Sequence, residues 1–244
     1  MIGKDHEVES KRTFKVWDIW VRLFHWLLVI LILLSYLTAE IGGFDFTVPG
    51  TGYFVSTMNL HVWSGLAILG LLIFRLIWGF IGSSSARFTN FLRSPRAILG
   101  YLRATFRGPV PFFAGHNPAG GAAVAIILLV LTIQATTGLF AQDDSFFATK
   151  GPLAYVVGDE TSKKITGIHK QWWEYVVVVV IAIHLAANLF YWLIKKQDLI
   201  TAMFTGKRRL PDSQALPHVS MKTNWHGAAV AIIAGITIWL IISV

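Results

Sequence analysis

Five long apolar segments dominate this chain of 244 residues and restrict it to folds that a lipid bilayer can hold. They cover residues 17–39, 58–81, 118–141, 168–194 and 225–244. Each is close to the roughly 20 residues that a helix needs to cross a membrane. Because unpaired backbone polar groups are costly in lipid, we expect each segment to be a helix. Only 14% of the residues are charged and 55% are hydrophobic. The predicted fold class is therefore an all-α integral membrane protein, in which the first four helices form a bundle and a fifth follows.

The positive charges are distributed unevenly between these segments, and their distribution predicts an orientation. Residues 82–115 contain five arginines and no acid, which fits a cytoplasmic loop with a short amphipathic helix, whereas residues 40–57 contain no Lys or Arg. With five spans, seventeen of the 21 Lys and Arg residues fall on or near one side. The positive-inside rule then predicts a multi-pass protein of the bacterial cytoplasmic (inner) membrane, with a cytoplasmic N-terminus and an outer C-terminus. A nucleic-acid patch is the competing interpretation of the arginines, and membrane topology explains them better.

The absence of cysteine limits the chemistry that the chain can support. It excludes disulfides, thiolate-bound clusters and covalently attached c-type haem, so that a metal would need histidine, methionine or carboxylate ligands. The first apolar segment lacks a small-residue cleavage site and is interpreted as an uncleaved helix. We divide the chain into a flexible or surface arm at residues 1–15, a transmembrane core at 16–209, and a linker with the fifth helix at 210–244.

Besides His226 at the start of the fifth segment, four histidines lie inside the apolar segments, and the predicted topology gives each of these four a depth. His61 and His169 come near the starts of helices that run inward, so both should lie in the outer half of the membrane. His25 and His184 should both lie in the inner half. We call His61 and His169 the outer pair, and His25 and His184 the inner pair. An ionisable side chain at such depth is by default a candidate functional group.

Two imidazoles that face each other from different helices are the ligands that a bis-histidine haem b needs. His169 and His184 are fifteen residues apart, which in a regular α-helix is about 22 Å along the axis and about 60° of rotation. Both could therefore face one bundle interior and serve two stacked non-covalent haems. Gly65, one turn after His61, would leave room for the porphyrin. Hydrogen bonds between helices, a proton relay and a zinc site remain as alternatives.

Four further side chains near the inner ends of the helices are candidate contacts. Arg22 and Arg75 could pair with the propionates of the inner haem, or extend to lipid headgroups instead. His116 precedes Asn117-Pro118, and His226 lies at the start of the last helix. For both histidines, a quinone or propionate contact competes with a role in helix capping or at the membrane interface.

The residues assembled so far resemble the bacterial cytochrome b561 family, which includes the hydrogenase-type cytochrome b subunits. The resemblance covers roughly residues 16–209 and rests on Val16-Trp17-Asp18, Arg22-Leu23-Phe24-His25-Trp26, His61 with Gly65, Arg75-Leu76-Ile77-Trp78-Gly79, Gly115-His116-Asn117-Pro118, His169 with His184, and residues 198–208. It implies a four-helix dihaem core with His25, His61, His169 and His184 as iron ligands. It also implies electron exchange between quinone and a redox partner at the outer surface. The fifth helix departs from the minimal four-helix members.

Three functions follow as hypotheses. The first is transmembrane electron transfer through two haems between the quinone pool and a periplasmic redox protein such as a c-type cytochrome. Such a protein could itself have quinone or quinol oxidoreductase activity. The second is a haem-containing anchor subunit that docks a soluble hydrogenase or dehydrogenase subunit. The third is a haem-free transporter in which histidines relay protons, for which the chain offers no inverted repeat of broken helices.

Overall fold

The computed structural model describes residues 11–108, 111–144, 149–211 and 217–243, and it is 69% helical. Short strands form three two-stranded antiparallel ribbons beside the helices. In chain order the elements are β1 (Lys11–Lys15), α1 (Ile19–Glu40), β2 (Phe46–Thr47), β3 (Phe54–Val55), α2 (Thr57–Ile81), α3 (Phe88–Phe91), α4 (Pro95–Arg107), α5 (Pro118–Phe140), β4 (Gln142–Asp143), β5 (Thr149–Lys150), α6 (Ala154–Val157), α7 (Asp159–Trp172), a π-helical turn (Trp173–Val177), α8 (Val178–Leu193), α9 (Ile200–Thr205), β6 (Lys207–Pro211) and α10 (Asn224–Ile242).

Five helices in the described part of the chain are long and apolar enough to cross a membrane. They are α1, α2, α5, the continuous fourth span Asp159–Leu193, and α10. This confirms the predicted fold class, and the amphipathic helix predicted in the arginine-rich loop is α4. Local capping explains where the spans begin. The Asp18 carboxylate accepts from the Val21 amide at 2.8 Å, and the Ser56 hydroxyl accepts from the Asn59 amide at 3.1 Å.

The fourth span begins nine residues earlier than the predicted start at residue 168. The added turns are mostly polar and, apart from the buried Ser162, largely exposed, which is why hydropathy alone missed them. Helix-stabilising charges hold them, since Asp159 and Glu160 lie in the first turn and Lys164 bonds Glu160 at 2.7 Å one turn later. The sequence predicted that His169 lies in the first turn of a helix. In the structure it lies well inside a helix that begins at Asp159.

A π-helical turn at Trp173–Val177 interrupts the fourth span between its two histidines. The Val178 amide donates to the Trp173 carbonyl, five residues back instead of four. Such a turn adds one residue and delays the rotation of everything after it by about 100°. The net angle from His169 to His184 is therefore about 40° in the opposite sense, where a regular α-helix would give about 60°.

Part of the N-terminal arm, which the sequence predicted to be a flexible or surface segment, forms a β-strand. Lys11–Lys15 pairs antiparallel with Lys207–Pro211, with Phe14 opposite Arg208, while residues 1–10 lie outside the described residues. The ribbon also crosses the boundary predicted at residue 209. Alternating polar residues carry too little hydropathy signal to predict strands whose partner is almost 200 residues away.

The spans pack around one apolar core. α1 lies along α2, α2 also contacts α5 and α10, and α5 contacts the fourth span. Leu72 and Trp78 of α2 and Val177 of the π turn are among its most buried residues. The fourth span reaches α1 through stacked rings, with Tyr36 and Trp173 centroids 5.6 Å apart, and reaches α5 through a Trp172 hydrogen bond to the Val130 carbonyl at 3.1 Å. Two consecutive tryptophans thus tie the π turn to two neighbours.

The fifth span packs against the outside of α1 and α2 through close contacts. A β-carbon at Gly227 would lie 2.2 Å from the Trp20 indole nitrogen, and that nitrogen donates to the Asn224 carbonyl at 3.1 Å. Farther along, a β-carbon at Gly70 would lie 3.3 Å from Ile238. Small residues at these positions allow the helices to approach each other.

We expect Gly227→Ala to lower the free energy of unfolding of the purified protein by about 1–3 kcal/mol, and with it the melting temperature, because the new methyl group overlaps Trp20. Gly235→Ala is the matched control on the same helix, since a β-carbon there meets nothing within 4 Å. Thermal unfolding in detergent measures both variants. If Gly227→Ala melted at the same temperature as Gly235→Ala, the packing described for this helix would be wrong.

Candidate haem-binding site

The outer pair faces across the gap between α2 and the fourth span. The ring centroids of His61 and His169 are 6.3 Å apart, and the ring planes are almost perpendicular at 88°. Both side chains are half-buried. A small cavity adjoins the pair and is lined by Thr166 and by Lys170, which pairs with Asp143 at 3.6 Å.

Hydrogen bonds orient both imidazoles of the outer pair. His61 Nδ1 lies 2.9 Å from the Ser35 carbonyl oxygen, which can only accept, so Nδ1 carries the hydrogen. His169 Nδ1 lies 2.9 Å from the Thr137 hydroxyl oxygen. In each ring the Nε2 lone pair is therefore the one available to a metal. A partner on the second ring nitrogen is the usual way in which proteins orient a histidine ligand.

α5 also shapes the surroundings of His169. A β-carbon at Gly138 would lie 3.1 Å from His169 Cε1, so the absence of a side chain lets the ring sit against α5. The Gln134 amide nitrogen is 3.1 Å from His169 Nε2 and donates to it. That contact agrees with Nε2 as the nitrogen that has the lone pair.

The inner pair bridges α1 and α8. The His25 and His184 centroids are 6.5 Å apart, with the planes inclined by 51°. His25 Nδ1 is buried and has no hydrogen-bond partner among the described residues. His184 Nε2 meets the amide nitrogen of Asn188 at a long 3.4 Å.

The segment around α9 covers the inner pair from the basic end of the bundle. Trp26, beside His25, stacks on Phe204 at 4.2 Å. Arg22 donates to the Phe204 carbonyl at 2.6 Å. Gly206 follows with φ +75°, and its carbonyl accepts from the Val16 amide at 2.8 Å. A β-carbon at Gly206 would lie 2.8 Å from the Trp17 carbonyl, so this turn requires glycine.

The two pairs fit the protein ligands of haem iron. A metal–imidazole bond of about 2.0 Å on each side, plus about 1.1 Å from nitrogen to ring centre, separates two axial imidazole centroids by about 6.2 Å. The observed 6.3 and 6.5 Å agree with that span. The described residues assemble no group of three or more His, Cys, Asp or Glu side chains that could hold a metal ion. Haem iron needs only two, because the porphyrin supplies four nitrogens.

In a comparison with known protein families, residues 16–206 match the model described as prokaryotic cytochrome b561. The chain belongs to this family. The match contains all four histidines of the two pairs, and it ends at Gly206, before the fifth span. Comparisons with curated proteins and with solved structures give no match. Membership in the cytochrome b561 family supports a multi-pass membrane protein that transfers electrons through haem b.

Arg75 of this cytochrome b561 family chain makes its contacts within the protein. Its side chain is buried, donates to the Ala86 carbonyl at 3.1 Å and lies 5.0 Å above the Phe88 ring. Asp18 shares this region, accepting from the Trp78 indole at 3.2 Å. These contacts tie α1, α2 and the loop that follows α2. The Nη1 atom of Arg75 is buried without a hydrogen-bond partner among the described residues, and its propionate contact stays a prediction.

His116 and His226 are also placed away from the histidine pairs. His116 lies between Trp17 and Phe91, with ring centroids at 4.8 and 4.4 Å. Burial and then the nearby charge of Arg75 lower its pKa to about 3, so the ring is neutral. His226 stacks on Trp225 at 3.7 Å and bonds the Thr223 hydroxyl through Nδ1 at 2.6 Å. His116 Nδ1 is buried without a hydrogen-bond partner among the described residues, and a quinone or propionate contact of either histidine stays a prediction.

Gly65 lies where a β-carbon would meet nothing within 4 Å, so the space beside it is open. The sequence did not indicate the residues that orient the outer pair. These are Ser35 and Thr137, which lie in apolar spans at the level of that pair. They could have been identified by looking for polar or small residues in the apolar segments at the level of each candidate ligand.

Proposed function

We propose that this protein carries electrons across the bacterial inner membrane through two bis-histidine haems b, between the quinone pool and a redox partner protein. One observation carries the proposal. Two histidine pairs lie at different depths of one bundle, and each pair joins different spans at a separation suited to axial ligation. A single site would cover only part of the thickness of the membrane.

Each residue of the proposed sites has a distinct task. His61 and His169 would hold the outer haem, and His25 and His184 the inner one. The Ser35 carbonyl and the Thr137 hydroxyl orient the outer imidazoles. When bound, haem supplies a one-electron Fe(III)/Fe(II) couple.

Two further residues would complete these sites. Arg22 lies one turn from His25 on α1, and its Nε atom is buried without a hydrogen-bond partner among the described residues. We propose that it faces a propionate of the inner haem. Gly65 would leave room for the outer porphyrin, since the space beside it is open.

The orientation follows from charge. The end of the bundle with Arg22, α4 and the β1–β6 ribbon is strongly basic, and we propose that it faces the cytoplasm. The Asp143 end would then face outward and meet a periplasmic redox protein. Quinone would exchange electrons with one of the two sites from within the membrane.

Purified protein tests this proposal directly. We expect two haems b per chain by pyridine haemochrome assay, and sharp b-type bands in reduced-minus-oxidised spectra. A soluble quinol should reduce the haems, and these bands should then appear. A folded protein without b-type bands would overturn the proposal and favour the histidine relay. A stoichiometric large subunit in the preparation would identify the anchor instead.

A further inference from the structure

The two histidine pairs differ in how their second ring nitrogens are bonded. Both Nδ1 atoms of the outer pair have an oxygen at 2.9 Å. In the inner pair, His25 Nδ1 is buried without a hydrogen-bond partner in the described part of the chain. For His184, an amide nitrogen lies 3.4 Å from Nε2, as one does for His169 of the outer pair, and the described residues supply no acceptor for its Nδ1.

The direction of the outer hydrogen bonds is determined by chemistry. A carbonyl oxygen has no hydrogen, so at Ser35 the imidazole must donate. The Thr137 hydroxyl directs its only hydrogen to carbonyls of its own helix, Ile133 at 3.0 Å and Gln134 at 2.9 Å. Toward His169 it accepts, because the Gln134 amide nitrogen donates to His169 Nε2 at 3.1 Å and so leaves the ring hydrogen on Nδ1. Both outer imidazoles donate through Nδ1, which makes Nε2 a stronger electron donor to a metal.

From this difference we infer that the outer pair gives its haem the lower reduction potential of the two, and that Thr137 is a positioning residue that sets it through His169. The inference rests on the proposed function, because it requires haem at both pairs. Electron-rich axial ligands favour the oxidised iron, so they lower the potential. Electron transfer from the outer site to the inner site is then downhill.

Of the two cations nearest the histidine pairs, Arg22 acts in the same direction as these hydrogen bonds. Arg22 places a cation one turn from His25, and a cation favours the added electron of a reduced site. Lys170, next to His169, would have the opposite effect on the outer site. However, it is exposed and pairs with Asp143 at 3.6 Å, so solvent and the counter-charge screen it.

A redox titration of the haem-loaded protein, followed by its visible bands, tests the inference. Thr137→Val removes the acceptor and should raise the lower of the two midpoint potentials while leaving the higher one unchanged. Thr137→Ser keeps the hydroxyl and should restore the original value. Thr132→Val is the matched control, since among the described residues the Thr132 hydroxyl bonds its own helix alone, at the Leu128 carbonyl 2.7 Å away.

A second measurement assigns the potentials to the sites. His184→Ala should retain the outer haem alone, and that haem should titrate at the lower potential. If the haem retained in His184→Ala titrated at the higher potential, the inference would be wrong. It would also be wrong if Thr137→Val left both potentials unchanged or moved only the higher one. If Thr137→Val loses its outer haem, the His184→Ala titration alone decides. A protein without haem would instead refute the proposed function, so the two failures are distinguishable.

Discussion

Replacement of His169 by alanine should leave one haem per chain where the unmodified protein has two. The lost haem should be the outer one, because alanine offers no nitrogen in place of the ring that lies 6.3 Å from His61. His184→Ala should remove the inner haem in the same way. Pyridine haemochrome assays give the number of haems, and redox titration shows which one remains.

His218→Ala is the control for both histidine variants, since this residue is exposed in the segment before α10. It should keep both haems. Thermal unfolding of each variant separates loss of a ligand from loss of the fold. If His169→Ala and His184→Ala each kept two haems in a folded protein, the ligand assignment would be wrong.

Insertion of one valine after Val176 should remove the inner haem, whereas deletion of Val176 should not. The π turn at Trp173–Val177 already contains one residue more than a regular α-helix. Deletion can restore the α-helix and keep the direction of His184 relative to His169. Insertion instead turns α8 by about 100° and points His184 away from His25.

If the fourth span were α-helical throughout, insertion and deletion would each turn α8 by about 100°. Both variants would then lose the inner haem. Equal loss of haem in both variants would therefore refute the role of the π turn. One glycine inserted next to Gly158 is the control, because that residue precedes the helix and has φ +77°. The spacing between the two histidines is unchanged there, and both haems should remain.

Much of the architecture could be predicted from the chain because membrane insertion depends on local composition. Runs of apolar residues located the five spans, and their ends differ from the structure by a few residues except at the fourth. Hydropathy also gave His25 and His184 a common depth, and their rings are 6.5 Å apart. It did not reveal the polar turns before residue 168, because helix formation there depends on charge pairs rather than on apolar residues.

The sequence by itself determined which segments form the five long apolar helices and predicted which histidines share a level of the bundle, since both depend on residues that are neighbours along the chain. Only the tertiary structure decided the direction in which those histidines point. Direction depends on rotation about each helix axis, which the π turn changes by about 100° without leaving a pattern in hydropathy. The partners of the outer rings, Ser35 and Thr137, come from other helices. Such contacts exist only after the spans have packed, because they join residues that are far apart in the chain.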